Sequence, residues 1–541
     1  MVDPNSSTSS LAHSVAQGSS GMELEEIKPQ QSPLAHGKDL EHGRSLELKR
    51  TSTNKSHKSQ VEETNYEHPL TDLSRNIVGW DSEDDPENPR NWTDKKKFSM
   101  LSLVSMITFI SPLASAMFAP GISFMNKEFN NHSSELSSFV VSVFVLGWAV
   151  GPLLLSPLSE IYGRRRVLDS GNIFFVVWQI GCALAPNLGS LIAFRFLAGV
   201  GGSGCLTIGG GVISDLFAPD QRGMATAMYS LGPLFGPVVG PIAGGFLAQR
   251  AGWRWVYWVL LIAGGLITTL IFVVNEESNP HVLIARKTAR LRKETGNPDL
   301  ISWYDKSHPG RTPRQVLRNG LTRPLKLIAR SPISALMCIY MSLIYGILYL
   351  LFTSMTLVFA QQYGWEPEIT GLAYLGIGIG FFIGLAIMAV TNDRMVVTLA
   401  KRNNGVAEPE MRLPLSAGFA CLIPISLFWY GWSADKATHW IVPIIGIMPF
   451  GIGMMGIFVP VQTYMIDAFV EHAASAVAAL TATRSLVGAV LPLAGGPMYA
   501  KLGLGWGNSL LGFISLALVP AIWLIYKHGA QIRKNHPINL D

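Results

Sequence analysis

The chain has 541 residues, enough for several soluble domains, yet 48% of them are hydrophobic and only 15% charged. With a mean hydropathy of +0.29, this composition belongs to an integral membrane protein and excludes a soluble multidomain chain. The net charge of +5 gathers in loops, so membrane topology explains it and no nucleic-acid partner is needed.

Residues 1–95 are rich in Ser, Thr, Asn, Gln and charge, with no apolar stretch long enough for a signal peptide. They read as a disordered cytoplasmic tail, either a solvated spacer or a target of phosphorylation and trafficking control. The first crossing then acts as an uncleaved signal anchor. From about residue 98 the chain breaks into twelve nearly charge-free runs of about 20 residues, the length that crosses about 30 Å of hydrocarbon. They cover 98–120, 136–158, 167–187, 190–213, 222–247 and 254–275, then 332–359, 368–391, 413–432, 438–463, 474–499 and 504–527. The expected fold class is all-α integral membrane, with twelve transmembrane helices in two pseudo-symmetric six-helix bundles. The bundles occupy 96–275 and 332–527, joined by a cytoplasmic central loop at 276–331 and followed by a cytoplasmic C-terminal tail at 528–541.

Loops rich in Lys and Arg stay in the cytoplasm, which fixes the orientation. Arg164, Arg165 and Arg166 follow the second run, twelve basic residues face five acids in the central loop, and Lys401 and Arg402 follow the eighth run. All fall on one side, so both termini are cytoplasmic. Arg250 and Arg254, on the outer side, run against the trend. Cys182, Cys205, Cys338 and Cys421 lie inside apolar runs, where they act as small apolar residues, and no disulfide framework is expected. Asn131-His132-Ser133 in the first outer loop is a glycosylation sequon with Asn131 as acceptor, close to the start of the second run.

An internal duplication supports the two-bundle reading. Ala243-Gly244-Gly245 with Gly252-Trp253 returns as Ala494-Gly495-Gly496 with Gly505-Trp506, and the same shift of about 251 to 253 residues carries Asp215 onto Asp467. Such duplication marks many transporter folds. The fifth run carries Gly232, Gly236, Gly240 and Gly244 on one stripe beside Pro233, Pro237 and Pro241, and the eighth carries Gly376, Gly380 and Gly384. Small residues at this spacing let helix backbones approach closely. The stripes read either as tight static packing or as kinkable contacts on which the halves rock, and both can hold at once.

The second run ends in Ser156-Pro157-Leu158-Ser159-Glu160-Ile161-Tyr162-Gly163-Arg164-Arg165-Arg166. Its basic residues either fix topology alone or, with Glu160 four residues before Arg164, bridge to neighbouring helix ends in one conformation and release in another. This segment resembles the loop motif of the major facilitator superfamily. Gly240-Pro241-Ile242-Ala243-Gly244-Gly245, with Gly236 a turn earlier, resembles the antiporter motif of its twelve-helix drug:proton antiporter family, and Arg195-Phe196-Leu197-Ala198-Gly199 is similar to that family's third signature. Fungal members are similar through Asp85-Pro86-Glu87-Asn88-Pro89, Asn91-Trp92, Arg222-Gly223, Trp253-Arg254-Trp255 and Phe428-Trp429-Tyr430-Gly431-Trp432. The resemblance spans about residues 80 to 530.

The resemblance implies alternating access by two six-helix bundles, with export of a small molecule driven by proton entry. Glu160 would be the loop motif's acid, Arg164 its partner, and Asp215 the carboxylate that closes the cluster when the pump faces outward. Asp393, Arg394 and Asp467 resemble the weaker set of the second half. Ser156 stands where the motif opens with glycine and Ile161 where it has a second basic residue, so a thinner charge network is expected.

Intramembrane charge is costly, about 2.5–3.5 kcal/mol for Arg on insertion scales, and two basic residues qualify, Arg195 and Arg484. By resemblance Arg195 takes part in proton relay; Arg484 faces an anionic substrate or cavity carbonyls; for each, a structural hydrogen-bond anchor is the alternative. No Asp or Glu lies near the middle of a run, so Asp215, Glu160 and Asp467 are the proton-site candidates. Candidate cavity residues include Ser115, Phe118, Tyr345, Tyr349, Phe458, Gln462 and Tyr464, an apolar, aromatic set suited to amphiphilic cargo, though such side chains at helical spacing also serve as packing.

No Walker loop, zinc-ligand spacing or Gly-x-Ser-x-Gly elbow is present, which argues against an enzyme. The expected function is proton-coupled export of drugs, toxins or a fungal secondary metabolite, glycolipids included. The alternatives are a proton-coupled importer, an exporter of small organic acids or polyamines, and a non-transporting sensor of the same fold. No cofactor is expected beyond the proton as coupling ion. The expected partners are a small-molecule substrate, protons and the lipid bilayer, and the chain is expected to be a monomer in the plasma membrane, with the vacuolar membrane as alternative.

Overall fold

The computed structural model describes residues 69–217, 221–307, 312–406, 408–469 and 472–535. The tail over 1–68 and residues 536–541 lie outside them. The first bundle is built from α1 (Asp94–Ala116), α2 (Ser134–Tyr162), α3 (Arg164–Ala183), α4 (Leu188–Leu216), α5 (Arg222–Arg250) and α6 (Arg254–Val274). Two helices of the central loop follow, α7 (Pro280–Thr295) and α8 (Pro313–Arg330). The second bundle is α9 (Pro332–Tyr363), α10 (Leu375–Arg402), α11 (Pro409–Asp435), α12 (Ile441–Ala468) and α13 (Ala473–Asn535).

Two of these assignments follow from single features. α13 breaks at Gly503, whose φ of 71° lies where a Cβ is strained, so it makes two crossings. α3 carries three arginines in its first turn and is less apolar than its neighbours, but its 20 residues rise about 30 Å. Among the described residues the crossings therefore number twelve, as the sequence predicts.

The helix starts are legible in their caps. Ser133 caps α2, Asn187 and Ser190 form a reciprocal capping box on α4, Thr312 and Gln315 do the same on α8, and Ser331 followed by Pro332 opens α9. Gly163, at φ 101°, is the single residue between α2 and α3, so the charged loop is a turn and its guanidinium groups are placed by two rigid helices.

The glycine stripes pack within the bundles. A Cβ at Gly232 would stand 2.9 Å from Phe109 N and one at Gly236 2.7 Å from Leu113 N, while Gly240 and Gly244 face Leu113 and Met117, so the whole α5 stripe lies on α1. Gly380 lies on Gly451 Cα of α12 at 3.0 Å, and Gly384 faces Ile452 of the same helix. Both stripes therefore pack closely inside their own bundles. The halves meet on other faces of the same helices: Gly245 faces Pro367 O at 2.5 Å, Gly371 faces Ile242 Cα at 2.7 Å, and the Phe235 and Phe382 rings meet edge to face at 4.4 Å.

Outside the membrane, two expected boundaries shift. Residues 69–93, which composition alone reads as the end of a disordered tail, are folded. The strand β1 (Ile77–Val78) pairs in parallel with β2 (Ile301–Ser302) of the central loop. Lys287 of α7, buried, bonds Asp81 at 2.7 Å and Asp85 at 3.3 Å, Arg290 reaches Glu87, and Lys96 of α1 reaches Glu276 at 2.7 Å. The central loop is likewise largely helical, and α13 continues to Asn535, beyond the expected end of the last crossing. Cys182, Cys205 and Cys338 are buried and Cys421 is exposed; all four are free.

Candidate functional site: a cavity between the bundles and its charged rims

Contacts between the bundles lie at mid-membrane and on the outer side. Tyr349 OH of α9 meets Ser115 Oγ of α1 at 3.1 Å, and Ser142 of α2 donates to the Ala489 carbonyl of α13 at 2.7 Å. At the outer ends of the helices Arg250 pairs with Glu368 at 3.1 Å and Gln249 donates to Glu366 at 3.1 Å. Arg254 pairs with Glu128 at 2.7 Å, so both outer arginines that contradict the basic-loop trend are matched by acids. On the side that the basic loops assign to the cytoplasm, by contrast, the ends of α2 and α13 stand apart. Ser156, Pro157 and Glu160 face Ala474, Ser475 and Ala478 across a cavity of about 460 Å³, whose third wall is α8. The molecule is closed outside and open inside.

At the inner rim of the first bundle, Arg164 pairs with Asp215 at 3.2 Å and donates to Ser159 Oγ at 2.7 Å. A Cβ at Gly211 would stand 2.9 Å from Arg164 Cζ, so this glycine makes room for the guanidinium. Glu277, buried, completes the cluster by accepting from the Arg164 backbone N–H at 2.7 Å, and Ser278 reaches Asp215 at 3.5 Å. All of these partners belong to the first half. Glu160 is exposed and lines the inner cavity with Arg318, Arg323 and His472. Sequence reasoning missed Glu277; its signal was an acid beside Glu276 at the start of a basic loop.

The second bundle has its own cluster, centred on a residue the sequence did not single out. Asp393 and Asp467 converge on Arg412, at 3.4 and 2.5 Å, while Arg394 is exposed and forms no ion pair among the described residues. Beside them Arg533 grips the buried Glu410 in two hydrogen bonds of 2.8 and 2.9 Å, and Tyr464 OH lies 3.5 Å from Glu410. Tyr464 is fully buried in this cluster, away from the expected cavity wall.

The two intramembrane arginines differ completely. Arg195, 1% exposed, donates to the carbonyls of Val140, Val141 and Ser115 and to Tyr257 OH. The rings of Phe118, Phe144 and Tyr257 surround it at 5.4 to 5.8 Å. It is a hydrogen-bond anchor inside the first bundle, and Phe118 is part of its shell. Arg484 is partly open, yet its Nε and Nη1 are buried with no hydrogen-bond partner, flanked by Tyr345 at 5.1 Å and Phe458 at 4.7 Å. Cation–π contacts return about 0.5–2 kcal/mol each, against the several kcal/mol of an unmatched charge at this depth.

Of the expected cavity residues, Tyr345, Phe458 and Gln462 are partly exposed between the bundles, and Ser115 and Tyr349 form the buried floor that bridges them. Asn131, half-buried, donates its amide to Asn126, Ser133 and Ser137, bonds that a glycan there would disrupt.

The family model described as Major Facilitator Superfamily matches residues 104–492. The MFS-type transporter penM of Penicillium rubens is 54% identical over 460 residues, covering 85% of this chain and 89% of that one. Efflux pump radE of Floropilus chiversii is 45% identical over 465 residues, covering 85% of each. Among solved structures, the xylose transporter XylE from E. coli, in a partially occluded inward open conformation, matches with a TM-score of 0.60 and 18% identity over 80% of this chain and 98% of that one. At that identity the likeness concerns the fold alone. Twelve crossings in two bundles, a family model spanning most of the chain and relatives near half identical lead to one conclusion: this is a multi-pass membrane transporter, not an enzyme, and the chain belongs to the major facilitator superfamily.

Proposed function

We propose that the protein is a proton-coupled exporter of amphiphilic small molecules in the plasma membrane, a fungal secondary metabolite or toxin being the cargo. The observation that carries this reading is the cavity between the inner ends of α2, α8 and α13, with the partly exposed Tyr345, Phe458 and Gln462 deeper in the second bundle around Arg484. Flat apolar rings beside a few polar groups suit an amphiphile collected from the cytoplasm or inner leaflet. The relative named as an efflux pump supports the direction. For coupling, Asp215 is the leading carboxylate: it lies at the inner rim, shares Arg164 with the turn between α2 and α3, and would gain or lose that partner as the rim closes. One proton entering down about 100 mV supplies about 2.3 kcal/mol.

Deleting the gene in the native host and comparing medium with cell extract tests export directly. The expected result is a metabolite retained in cells, or a new susceptibility to an amphiphilic toxin. Unchanged extracts together with unchanged susceptibility would overturn the reading. Asp215→Asn, assayed in vesicles under an imposed pH gradient with the metabolite so found, is expected to abolish gradient-driven uptake while leaving equilibrative exchange. Undiminished concentrative uptake would remove Asp215 from the coupling path.

A further inference from the structure

Arg484 lies about three turns into α13, at mid-membrane depth. Its guanidinium carbon is 5.1 Å from the ring centre of Tyr345 and 4.7 Å from that of Phe458. Nε and Nη1, one donor on each of the two edges of the planar group that Nη2 completes, are buried and meet no acceptor, while the residue as a whole is partly exposed. No carboxylate pairs with it among the described residues. The flanking rings are held in place: a Cβ at Gly488, one turn beyond Arg484, would stand 3.0 Å from Tyr345 Cδ1, and the Tyr349 hydroxyl is engaged with Ser115. Gln462 lies one turn beyond Phe458 on the same helix and is partly open.

A ring face neutralises part of a cation's charge but accepts none of the in-plane N–H groups. A buried N–H without an acceptor, on a group that keeps its charge at every physiological pH, has its best complement in an oxygen anion, which a guanidinium edge can bind through two parallel hydrogen bonds. We propose that Arg484, between Tyr345 and Phe458, binds an anionic oxygen group of the cargo, a carboxylate, enolate or phenolate attached to a flat apolar body. The assignment rests on the export reading for the word cargo; the binding itself does not depend on transport direction or coupling. The same uncompensated positive charge disfavours polyamines and other cations.

The test compares an acid with its neutral twin on the purified full-length protein: 1-naphthaleneacetate and 1-naphthaleneacetamide, titrated at neutral pH with heat of binding as readout. The expected result is acid binding at least about tenfold tighter than amide binding, the discrimination a matched charged hydrogen bond provides. Arg484→Gln is expected to lower the acid to the level of the amide, and Arg484→Lys to keep part of the preference, because the charge remains while the fork is lost. Equal affinities in the unaltered protein, no saturable binding of the acid, or a preference that survives Arg484→Gln would each overturn the proposal. The comparison on the unaltered protein decides even if a variant fails to fold. A metabolite that is not retained on gene deletion, with the acid preference intact, would overturn the export reading alone.

Discussion

Arg195 and Arg484 both place a guanidinium within a membrane-spanning helix, and the partners decide what each does. Removing Arg195 strands three backbone carbonyls and the Tyr257 hydroxyl inside the first bundle. Hydrogen bonds from a charged donor contribute about 1.5–3 kcal/mol each, and breaking a buried charged network costs about 3–5 kcal/mol. Arg195→Leu is therefore expected to lower the thermal midpoint of the detergent-purified protein by many degrees. Arg484→Leu strands no acceptor and relieves an unmatched charge, so its midpoint is expected to stay level or rise. Equal losses in the two variants would contradict the division into anchor and binding group. The sequence shows that both charges lie in apolar runs but not which is matched, because three of Arg195's acceptors are backbone oxygens of Val140, Val141 and Ser115. Backbone partners leave no signature in residue identity. Arg412 escaped for a related reason: just before the ninth apolar run it looks like any topology-setting base, and only the fold brings Asp393 and Asp467 to it.

The crossings were legible because hydrophobic length is a local property; which face of a helix meets which neighbour is not. The α5 stripe of Gly232, Gly236, Gly240 and Gly244 showed close packing, yet only the assembled bundle shows that it lies on α1 and that Phe235 and Gly245 meet the other half. The folded segment 69–93 was missed for a different reason, since its polar composition mimics a disordered tail. What folds it is a set of long-range contacts: the parallel pair β1 and β2, and Asp85 and Asp81 on Lys287. Burial raises the Asp85 carboxyl, but the backbone N–H groups of Asp81 and Glu87 and the Lys287 ammonium outweigh it and hold its pKa below the ordinary 3.8. A lowered folded-state value means that the carboxylate's contribution is complete above the ordinary value and is lost as pH falls through the folded-state one. Amide exchange at Val78 and Trp80, corrected for intrinsic rate, is expected to show constant protection above about pH 5 and a fall below about pH 4. Asp85→Asn is expected to remove about 1–3 kcal/mol at neutral pH, a roughly ten- to hundredfold loss of protection, and to flatten the acid limb. A variant with unaltered protection at both ends of the range would show that another contact docks the segment.

The bundles have opposite status at their two ends, and alternating access, which the proposed function requires, would reverse this asymmetry in each cycle. Tyr349 with Ser115 at mid-membrane, and Arg250 with Glu368 and Gly245 on Pro367 outside, join the halves. Inside, each half satisfies its own charges: Arg164 with Asp215 and Glu277, Arg412 with Asp393 and Asp467, Arg533 with Glu410. Outward opening must therefore separate Gly245 from the segment carrying Glu368, while the inner rims close on one another. A Cβ at Gly245 would lie 3.3 Å from Glu368 Cα and 2.5 Å from Pro367 O, so once that carbonyl gives way the Cβ atoms of residues 245 and 368 come near the separation of about 3.5–4.5 Å at which cysteines are bridged. The double variant Gly245→Cys with Glu368→Cys is expected to crosslink on mild oxidation, and transport in vesicles is then expected to fall to background and return on reduction. A third cysteine, Ser475→Cys on the inner cavity wall, is expected to stay open to a membrane-impermeant thiol reagent from the cytoplasmic side in the crosslinked protein. Transport that continues at full rate with the crosslink complete would mean that the outer contact between α5 and the α9–α10 connection does not open during the cycle, and the alternation of the two ends would have to be carried by other helices.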